Sequence, residues 1–188
     1  MQKSKELVFI TGNEGKAKYL KDFLGIPVEH MSIDLSEIQS LSLREVVEDK
    51  ANRAFEIVGR PVLVEDVSLT FKAMGKLPGP LVKWFLDSLK NEGLCRLLDQ
   101  YQDRSAVAEV MFAYCSEEGT HVFQGSVKGS ISKEPRGGGG FGWDAIFIPE
   151  GYEDTWGEMS AVEKHATSMR RFALDELKNF LENRKIEK

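Results

Sequence analysis

The glycine run in EPRGGGGFGWD, residues 134–144, raises the first chemical question. Four consecutive glycines follow Arg136, and glycine loses more backbone freedom on folding than any other residue. Such a run is unfavourable in an ordered protein unless a ligand must approach the main chain closely. Beside it, Phe141 and Trp143 could flank a flat ligand, and Asp144 could accept a hydrogen bond from a ring N–H. The stretch therefore predicts a site for a planar ligand, with a flexible loop as the alternative.

Two adjacent carboxylates, Glu65 and Asp66, follow the apolar run PVLV. Neighbouring residues of a strand face opposite sides, so one carboxylate can enter a cleft while the other turns back toward a support or a second metal position. With Glu37 of DLSEIQ, these oxygens could hold Mg²⁺, which takes one or two carboxylates together with water and substrate phosphates. The pattern predicts a magnesium site, and a solvent-exposed strand end is the alternative.

The stretch TGNEGK, residues 11–16, joins an apolar run to a helical pattern. Its backbone amides would point toward the start of that helix, where the positive end of the helix dipole favours a phosphate, and Lys16 adds a positive charge. It is not a Walker A loop, because the glycine spacing is too short and Ala17 stands where Ser or Thr would hold magnesium. The stretch predicts either a phosphate site or an ordinary turn from strand to helix.

A fourth polar cluster lies in EKHATSMRR, near the C-terminal end. Lys164 and Arg170 could complete the basic wall of a binding site, whereas a solvent-exposed helix start is the alternative. All four clusters fall at strand ends or in loops, which is where α/β folds usually bind ligands.

The elements that must position these clusters begin in the order β-α-β-α-β. Apolar runs and helical periodicity predict, in turn, a strand in ELVFITG, a helix in GKAKYLKDFLG, extended chain in PVEHMSIDL, a helix in SLREVVEDKANRAFEIVG and a strand in PVLVEDVSLTF. We expect glycines to end both helices, at Gly25 and Gly59, and a capping box of Ser42 and Glu45 to begin the second one. This order favours an α/β fold with some parallel strand pairing.

The second half of the chain continues the mixed pattern. We expect two short helices in LVKWFLDSL and EGLCRLLDQY, a hairpin of SAVAEVMFAYCS and THVFQGSVKGSIS around EEG, a strand in DAIFIP, and a closing helix through SAVEKHATSMRRFALDELKNFLENRKIEK. The sequence therefore predicts an α/β domain over residues 1–188, with helices flanking a mixed β-sheet.

Composition restricts the classes of protein to which the chain can belong. With 25 basic and 30 acidic residues among 188, the net charge is -5, and no basic block would follow a nucleic-acid backbone, so a polymeric nucleic-acid partner is disfavoured. Cys95 and Cys115 show no metal or redox spacing, which predicts core thiols in a reducing cytosol. No apolar run approaches the roughly 18 residues of a membrane helix. We therefore expect a soluble cytoplasmic protein without a membrane partner.

Taken in order, the four clusters resemble the inosine triphosphate pyrophosphatase family. The matching motifs are TGNEGK, VEDVSLTFKAMGKLPGPLVKWF, GGFGWDAIF and VEKHATSMRR, which together span essentially the whole chain. The second of them is especially similar to eukaryotic-type members. The resemblance implies an elongated mixed sheet with two lobes around a central cleft and a homodimer. It also implies hydrolysis of non-standard purine nucleoside triphosphates to the monophosphate and pyrophosphate, with Mg²⁺, or Mn²⁺ in its place.

The resemblance also implies roles for individual residues. The phosphates would be bound by Thr11, Gly12, Asn13, Lys16, Lys50 and Lys83. The metal would be held by Glu37 and Asp66, and the catalytic residues would be Asp66, Glu65 and Lys16. The nucleoside would be surrounded by Arg136, Phe141, Gly142, Trp143, Asp144, Lys164, Met169 and Arg170. Chemically, lysines and metal neutralise the phosphates, while Asp66 orients or deprotonates the water that attacks the α-phosphorus.

Two positions depart from the family pattern and leave alternatives open. Met169 stands where the family usually has His, and His165 where it usually has Asn. Met169 could pack in the apolar stripe of the last helix, or its thioether could contact the purine and loosen base selection. The main hypothesis is a pyrophosphatase for inosine, deoxyinosine and xanthosine triphosphates. The alternatives are a nucleotide-binding protein with reduced turnover and a pyrophosphatase with altered base selectivity.

Overall fold

The computed structural model describes residues 7–186 of the chain. The strands are β1 (Leu7–Ile10), β2 (Val28–Met31), β3 (Val62–Phe71), β4 (Pro78–Gly79), β5 (Ser105–Ser116), β6 (Gly119–Ile131) and β7 (Phe147–Pro149). The helices are α1 (Glu14–Leu24), α2 (Leu43–Val58), α3 (Val82–Arg96), α4 (Ala161–Thr167) and α5 (Met169–Ile186). None of the helices in this range has the length and hydropathy that crossing a bilayer requires.

The strands form one mixed sheet in the order β2-β1-β3-β5-β6-β7, with β4 paired to β3. Strand β1 runs parallel to both β2 and β3, as expected when a helix connects each successive pair of strands. Antiparallel pairs join β3 to β4 and β6 to β7. The predicted β-α-β-α-β start, the β5–β6 hairpin and the mixed α/β fold are therefore confirmed.

The chain divides into two compact units. The first comprises Met1–Asp66, Met111–Gln124 and Phe172–Lys188, and the second comprises Val67–Val110 and Gly125–Arg171. Each unit is built from segments that are distant in the sequence.

An apolar core in the first unit fixes the start of the sheet. All four residues of β1 are buried, and Val8, Val47 and Val62 are fully inaccessible to solvent. Helix α2 contributes Ala51 and Ala54 to the same cluster, and these small side chains allow the helix to pack closely. Each large aliphatic side chain buried in this way stabilises the fold by about 1.5–3 kcal/mol. This packing anchors the loops that follow β1 and β3.

The helix ends follow the predicted signals with one correction. Gly25 and Gly59 adopt the left-handed conformation and end α1 and α2, as expected. At the start of α2, the Ser42 hydroxyl accepts the Glu45 N–H, which is half of the predicted capping box. The Glu45 carboxylate instead accepts a hydrogen bond from the Ser40 hydroxyl at 2.7 Å, and Ser40 accepts the Ser42 N–H. Ser40, and not Glu45, therefore accepts the Ser42 N–H, the hydrogen bond that a capping box assigns to the Glu45 side chain.

Two elements of the second unit also correct the predictions. The expected strand DAIFIP forms only at Phe147–Pro149, because Asp144 N–H donates to Phe141 O and Ile146 N–H donates to Trp143 O, which makes turns. The two helices expected after residue 80 are present, but they adjoin as α3 with a non-helical break at Lys90, where φ is 58°.

The predicted closing helix is divided into α4 and α5. Ser168 is extended, with φ -73° and ψ 126°, and so separates them. Helix α4 begins with a full capping box in which Ser160 and Glu163 exchange hydrogen bonds, and these bonds hold the pKa of Glu163 below its ordinary value. The predicted helix began at the same serine, but its periodicity did not reveal the break at Ser168, because α4 has no buried residue.

Gly129 is expected to be required for pairing of β6 with β7. It lies opposite Pro149, and a Cβ at this position would overlap the Ile148 carbonyl and the Phe147 ring. We expect Gly129→Ala to lower the free energy of unfolding by about 1–3 kcal/mol, measured by urea denaturation. The control is Gly138→Ala, because an added Cβ there meets no atom within 4 Å. Equal midpoints for the two variants would contradict the prediction.

Candidate active site

The loop after β1 is organised by its own side chains. Asn13 N–H donates to the Thr11 hydroxyl at 3.1 Å, and Lys16 N–H donates to the Asn13 side-chain oxygen at 3.1 Å. Asn13 is therefore the N-cap of α1, and Gly12 between these residues is exposed. The loop places main-chain groups at the positive end of the α1 dipole, which suits an anion.

His30 on β2 also contacts this loop, although the sequence did not indicate it. Its Nε2 lies 2.6 Å from the Thr11 carbonyl oxygen and donates to it in the tautomer that carries the proton on Nε2. Because β2 pairs with β1 in register, His30 lies opposite Phe9, two residues before Thr11. Only the strand pairing could have revealed this contact.

Glu65 forms an ion pair with Lys16, and it lies within β3 rather than at a strand end as the sequence suggested, because the strand continues to Phe71. Their side-chain atoms lie 3.0 Å apart, and the Glu65 side chain is only 5% exposed. A carboxylate so far from water needs a compensating cation, because burial without one is strongly unfavourable. Lys16 is thus oriented by β3 while its backbone belongs to α1.

Lys50 on α2 pairs with Glu37 and Asp66, the two other carboxylates that the sequence analysis selected. Its Nζ donates to Glu37 Oε1 at 2.6 Å and to Asp66 Oδ2 at 3.3 Å. Burial by itself lowers the pKa of Lys50, but the charges and hydrogen bonds of Asp66 and Glu37 more than offset this, so its pKa lies above the ordinary value. Lys50 is therefore a positioned cation at neutral pH.

The donor set fits the chemistry of Mg²⁺ with a nucleotide. Within residues 7–186, the structure places no group of three or more His, Cys, Asp or Glu side chains close enough to hold a metal by themselves. Glu37 and Asp66 nevertheless approach a single cationic centre, the Lys50 ammonium. Mg²⁺ is commonly bound by one or two carboxylates, with water and substrate phosphates completing its shell. Two carboxylates of this kind match that pattern.

The residues predicted to contact the nucleoside lie in the second unit, and Asp144 connects several of them. Its carboxylate accepts hydrogen bonds from Phe141 N–H and from the Lys164 ammonium. A Cβ at Gly140 would overlap this carboxylate, so glycine is required there for close approach. Asn91 on α3, which the sequence analysis missed, donates to the Gly142 carbonyl at 3.0 Å.

The two aromatic residues of this stretch have different environments. Phe141 is 73% exposed, whereas Trp143 is 8% exposed and packs against Phe147 and Trp156, with ring centroids 5.8 and 5.7 Å away. The Phe141 ring is thus available to a ligand, and the Trp143 ring forms part of an aromatic cluster. Alternating exposure of this kind is typical of a loop that is anchored to a core.

The remaining predicted residues of the second unit lie on helices or beside the loop. Met169 is 3% exposed, as the packing alternative requires, and Arg170 is half-buried. Lys83 is exposed on α3. Arg136 donates to the Glu153 carbonyl at 2.6 Å and pairs with Glu158 at 3.4 Å.

The predicted residues thus fall into two groups, one in each unit. The first unit holds Thr11, Gly12, Asn13, Lys16, Glu37, Lys50, Glu65 and Asp66. The second unit holds Lys83, Arg136, Phe141, Gly142, Trp143, Asp144, Lys164, Met169 and Arg170. The first group has the charges suited to phosphates and a metal, and the second has the aromatic and polar groups suited to a base.

Comparison with known proteins places the chain in a family. The model of the Ham1 family matches residues 7–180. The chain belongs to the Ham1 family. It is 46% identical over 180 residues to the inosine triphosphate pyrophosphatase of Yarrowia lipolytica, covering 93% of this chain and 95% of that protein. It is 42% identical over 183 residues to the inosine triphosphate pyrophosphatase of Schizosaccharomyces pombe, covering 95% of this chain and 96% of that protein.

Solved structures support the same assignment. The Ham1 protein of Staphylococcus aureus aligns with a TM-score of 0.85 and 25% identity, covering 95% of this chain and 100% of its own. The nucleoside-triphosphatase, dITP/XTP pyrophosphatase, of Mycobacterium abscessus aligns with a TM-score of 0.77 and 28% identity, covering 92% of this chain and 98% of its own. The Ham1 fold therefore extends over nearly the whole of this chain.

In this Ham1 chain, Lys50 is expected to stabilise the fold in a pH-dependent way. Lys50→Met should lower the free energy of unfolding by about 1.5–3 kcal/mol near neutral pH, because hydrogen bonds to charged groups are lost. Since the folded pKa of Lys50 is raised, its contribution is complete below the unfolded pKa of about 10.4 and disappears as the pH rises through the folded value. Urea denaturation of both proteins across this alkaline range measures the difference.

The matched control is Arg44→Met, which removes an exposed ion pair with Glu48 on the same helix. It should change stability by only about 0.3–0.5 kcal/mol. A difference between wild type and Lys50→Met that stays constant well above the lysine pKa would contradict the assignment of this pairing to Lys50.

Proposed function

We propose that this chain hydrolyses inosine, deoxyinosine and xanthosine triphosphates to the monophosphate and pyrophosphate. The observation that carries the proposal is that two lysines of the first unit are held by carboxylates, Lys16 by Glu65 and Lys50 by both Glu37 and Asp66. Its curated relatives of similar length are inosine triphosphate pyrophosphatases, which supports the same chemistry. Removal of such nucleotides from the pool would be the result.

In the proposed reaction, the first unit binds the triphosphate and places the water. Main-chain groups of the loop formed by Thr11, Gly12 and Asn13, with the ammonium groups of Lys16 and Lys50, neutralise the phosphate charges. Lys83 is proposed as a further phosphate ligand. Ion pairs that are already formed without nucleotide, such as Lys16 with Glu65, hold the side chains in place and reduce their reorganisation when the nucleotide binds.

Asp66 is the proposed base for the attacking water. It is half-buried, and its hydrogen bond from Lys50 holds the carboxylate in place. It would accept a proton from the water as the oxygen attacks the α-phosphorus, with pyrophosphate as the leaving group. Mg²⁺ would be held by Glu37 and Asp66 and, when bound, would neutralise phosphate charge. Mn²⁺ is the proposed substitute.

The second unit is proposed to recognise the purine. Phe141 offers an exposed ring for stacking, and Asp144 and Lys164 offer an acceptor and a donor that are already hydrogen-bonded to each other. Arg170 can only donate, which suits a 6-keto oxygen and is mismatched to the 6-amino group of adenine. Further contacts are proposed for Arg136, Gly142 and Trp143, whereas buried Met169 is assigned to packing rather than to the base.

We also propose that the protein acts as a homodimer in the cytoplasm. The dimer rests on the resemblance of the four motifs to the family, and the location rests on two cysteines that are both buried and free in the structure. Light scattering coupled to size-exclusion chromatography measures the mass in solution. A monomeric mass at micromolar concentration would contradict the dimer.

The first experiment compares pyrophosphate release with Mg²⁺ from inosine, xanthosine, guanosine, adenosine and uridine triphosphates at one low concentration. A strong preference for the first two is expected. Equal rates for all five would support a pyrophosphatase with altered base selectivity. Measurable nucleotide binding without turnover would support a nucleotide-binding protein instead and would contradict the proposed function.

Asp66→Asn should lower kcat for inosine triphosphate by about 10²–10⁴-fold, the usual contribution of a general base. Nucleotide binding in Mg²⁺, measured by calorimetry, should remain detectable. The control is Asp49→Asn, which removes a surface carboxylate paired with Arg53 on α2 and should leave the rate near that of the wild type. Near-normal turnover of Asp66→Asn would remove Asp66 from the mechanism.

Because Met169 is buried, Met169→His is expected to lower stability by about 1–3 kcal/mol, the penalty for burying an unsatisfied polar group. The ratio of kcat/KM for inosine over adenosine triphosphate should stay the same. Met169→Leu, which conserves volume, is the control and should fold with nearly unchanged stability. A sharper preference for inosine in Met169→His would show instead that this position faces the base.

A further inference from the structure

Residues 155–158, with the sequence TWGE, carry none of the roles proposed above. We refer to them as the backing segment, and to residues 136–142 as the glycine loop. Thr155 is fully buried, Trp156 is 3% exposed, and Gly157 is also buried. A buried polar residue followed by a buried glycine suggests a close contact with main chain.

The backing segment forms hydrogen bonds with the first residue and the middle of the glycine loop, and with Asp144 just after it. The Thr155 hydroxyl donates to the Arg136 carbonyl at 2.9 Å. Gly139 N–H donates to the Gly157 carbonyl at 3.0 Å, and Gly157 N–H donates to the Asp144 carbonyl at 2.9 Å. The loop, whose glycines have no side chains to pack, is therefore held by hydrogen bonds from the backing segment.

The backing segment and the loop also approach too closely for side chains. A Cβ at Gly137 would overlap the Gly157 carbonyl group and the Glu158 amide. A Cβ at Gly157 would lie 2.9 Å from both Ala145 Cα and the Arg136 carbonyl oxygen. Main-chain packing within this unit thus explains Gly137 of the glycine run and Gly157 of the backing segment.

The same segment is connected to α4. The Trp156 indole N–H donates to the Thr167 hydroxyl at 2.9 Å, and this hydroxyl donates to the Glu163 and Lys164 carbonyls. Lys164 pairs with Asp144, whose carboxylate also accepts the N–H of Phe141 in the glycine loop. The glycine loop, the backing segment and α4 are therefore connected in a ring of polar contacts: loop to backing segment, backing segment to α4, and α4 to the loop through Asp144.

We propose that Thr155 and Trp156 are positioning residues for purine binding. This inference rests on the proposed function, since it assigns them the task of holding Phe141, Asp144 and Lys164 in the arrangement that receives the base. Thr155 fixes the first residue of the loop, and Trp156 fixes the helix that carries Lys164. Neither side chain contacts the nucleotide, so their loss weakens binding and leaves the chemical step unchanged.

The test is Thr155→Val, which keeps the shape of the side chain and removes the hydroxyl. It leaves the part-buried Arg136 carbonyl without this donor, so the KM for inosine triphosphate should rise about tenfold while kcat stays near the wild-type value. Amide hydrogen exchange of the peptide spanning residues 136–144, measured without nucleotide, should become faster. Thr155→Ser, which restores the hydroxyl, should recover both values.

The matched control is Thr120→Val. It removes a hydroxyl that donates to Asn52 at 2.7 Å in the other unit, and it should change neither KM nor exchange in the loop. If Thr155→Val does not fold, Trp156→Phe serves instead. It retains an aromatic ring and loses the bond to Thr167, so KM should rise and exchange in α4 should accelerate.

Unchanged KM and unchanged exchange in a folded Thr155→Val would overturn the proposal, as would an equal effect of Thr120→Val. A fall in kcat at constant KM would also overturn it, because the chemical step would then depend on Thr155. If the wild type releases no pyrophosphate from any nucleotide, the proposed function fails. In that case, faster amide hydrogen exchange in Thr155→Val would still support the claim that Thr155 holds the glycine loop in place. Unchanged exchange would reject that claim.

Discussion

Compensation of the negative charge of Glu65 and Asp66, in the middle of β3, is the constraint on which the first unit depends. The buried residues Val62, Leu63 and Val64 fix the strand, so Glu65 and Asp66 cannot move away from each other or from the core. Two carboxylates in this position require cations, and these come from different elements, Lys16 from α1 and Lys50 from α2. The ion pairs therefore tie the loop after β1, the second helix and the third strand to one another. Under the proposed function, the same groups would present to a triphosphate the charges that it needs.

The second unit is subject to a different constraint, because its candidate base-binding loop has almost no side chains whose burial could stabilise its conformation. Apolar packing is supplied beside the loop, by Trp143, Phe147 and Trp156. The main chain of the loop is held in place by hydrogen bonds from the backing segment and from Asn91. Phe141 can therefore remain exposed on a segment that is fixed at both ends. Glycine here permits close approach of main chain to main chain and to the Asp144 carboxylate, so the glycine run is consistent with an ordered loop.

Much of the fold could be predicted from the sequence because its signals are local. The apolar runs gave β1 and β3, the alternating pattern gave the β5–β6 hairpin, and Gly25 and Gly59 marked two helix ends. The failures have equally physical causes. Helix α4 has no buried face, so periodicity could not separate it from α5. The strand predicted at DAIFIP was too long because apolar residues can be buried in turns as well as in strands, and the turn bonds of Asp144 and Ile146 are set by the surrounding structure.

In the candidate site, too, some residues could be identified from their own type, whereas others acquire a role only through contacts with distant parts of the chain. Residues whose chemistry is visible in their type, such as Lys16, Asp66 and Asp144, could be selected from the sequence, and the structure then gives each of them a charged partner. Thr155, Trp156 and His30 could not be selected, because common residue types acquire a role only when folding brings a particular carbonyl or hydroxyl beside them. A loop made of glycine makes this dependence unavoidable. Since it cannot hold its own shape by side-chain packing, the information that fixes it must lie in other segments, whose sequences carry no chemical signature of their own.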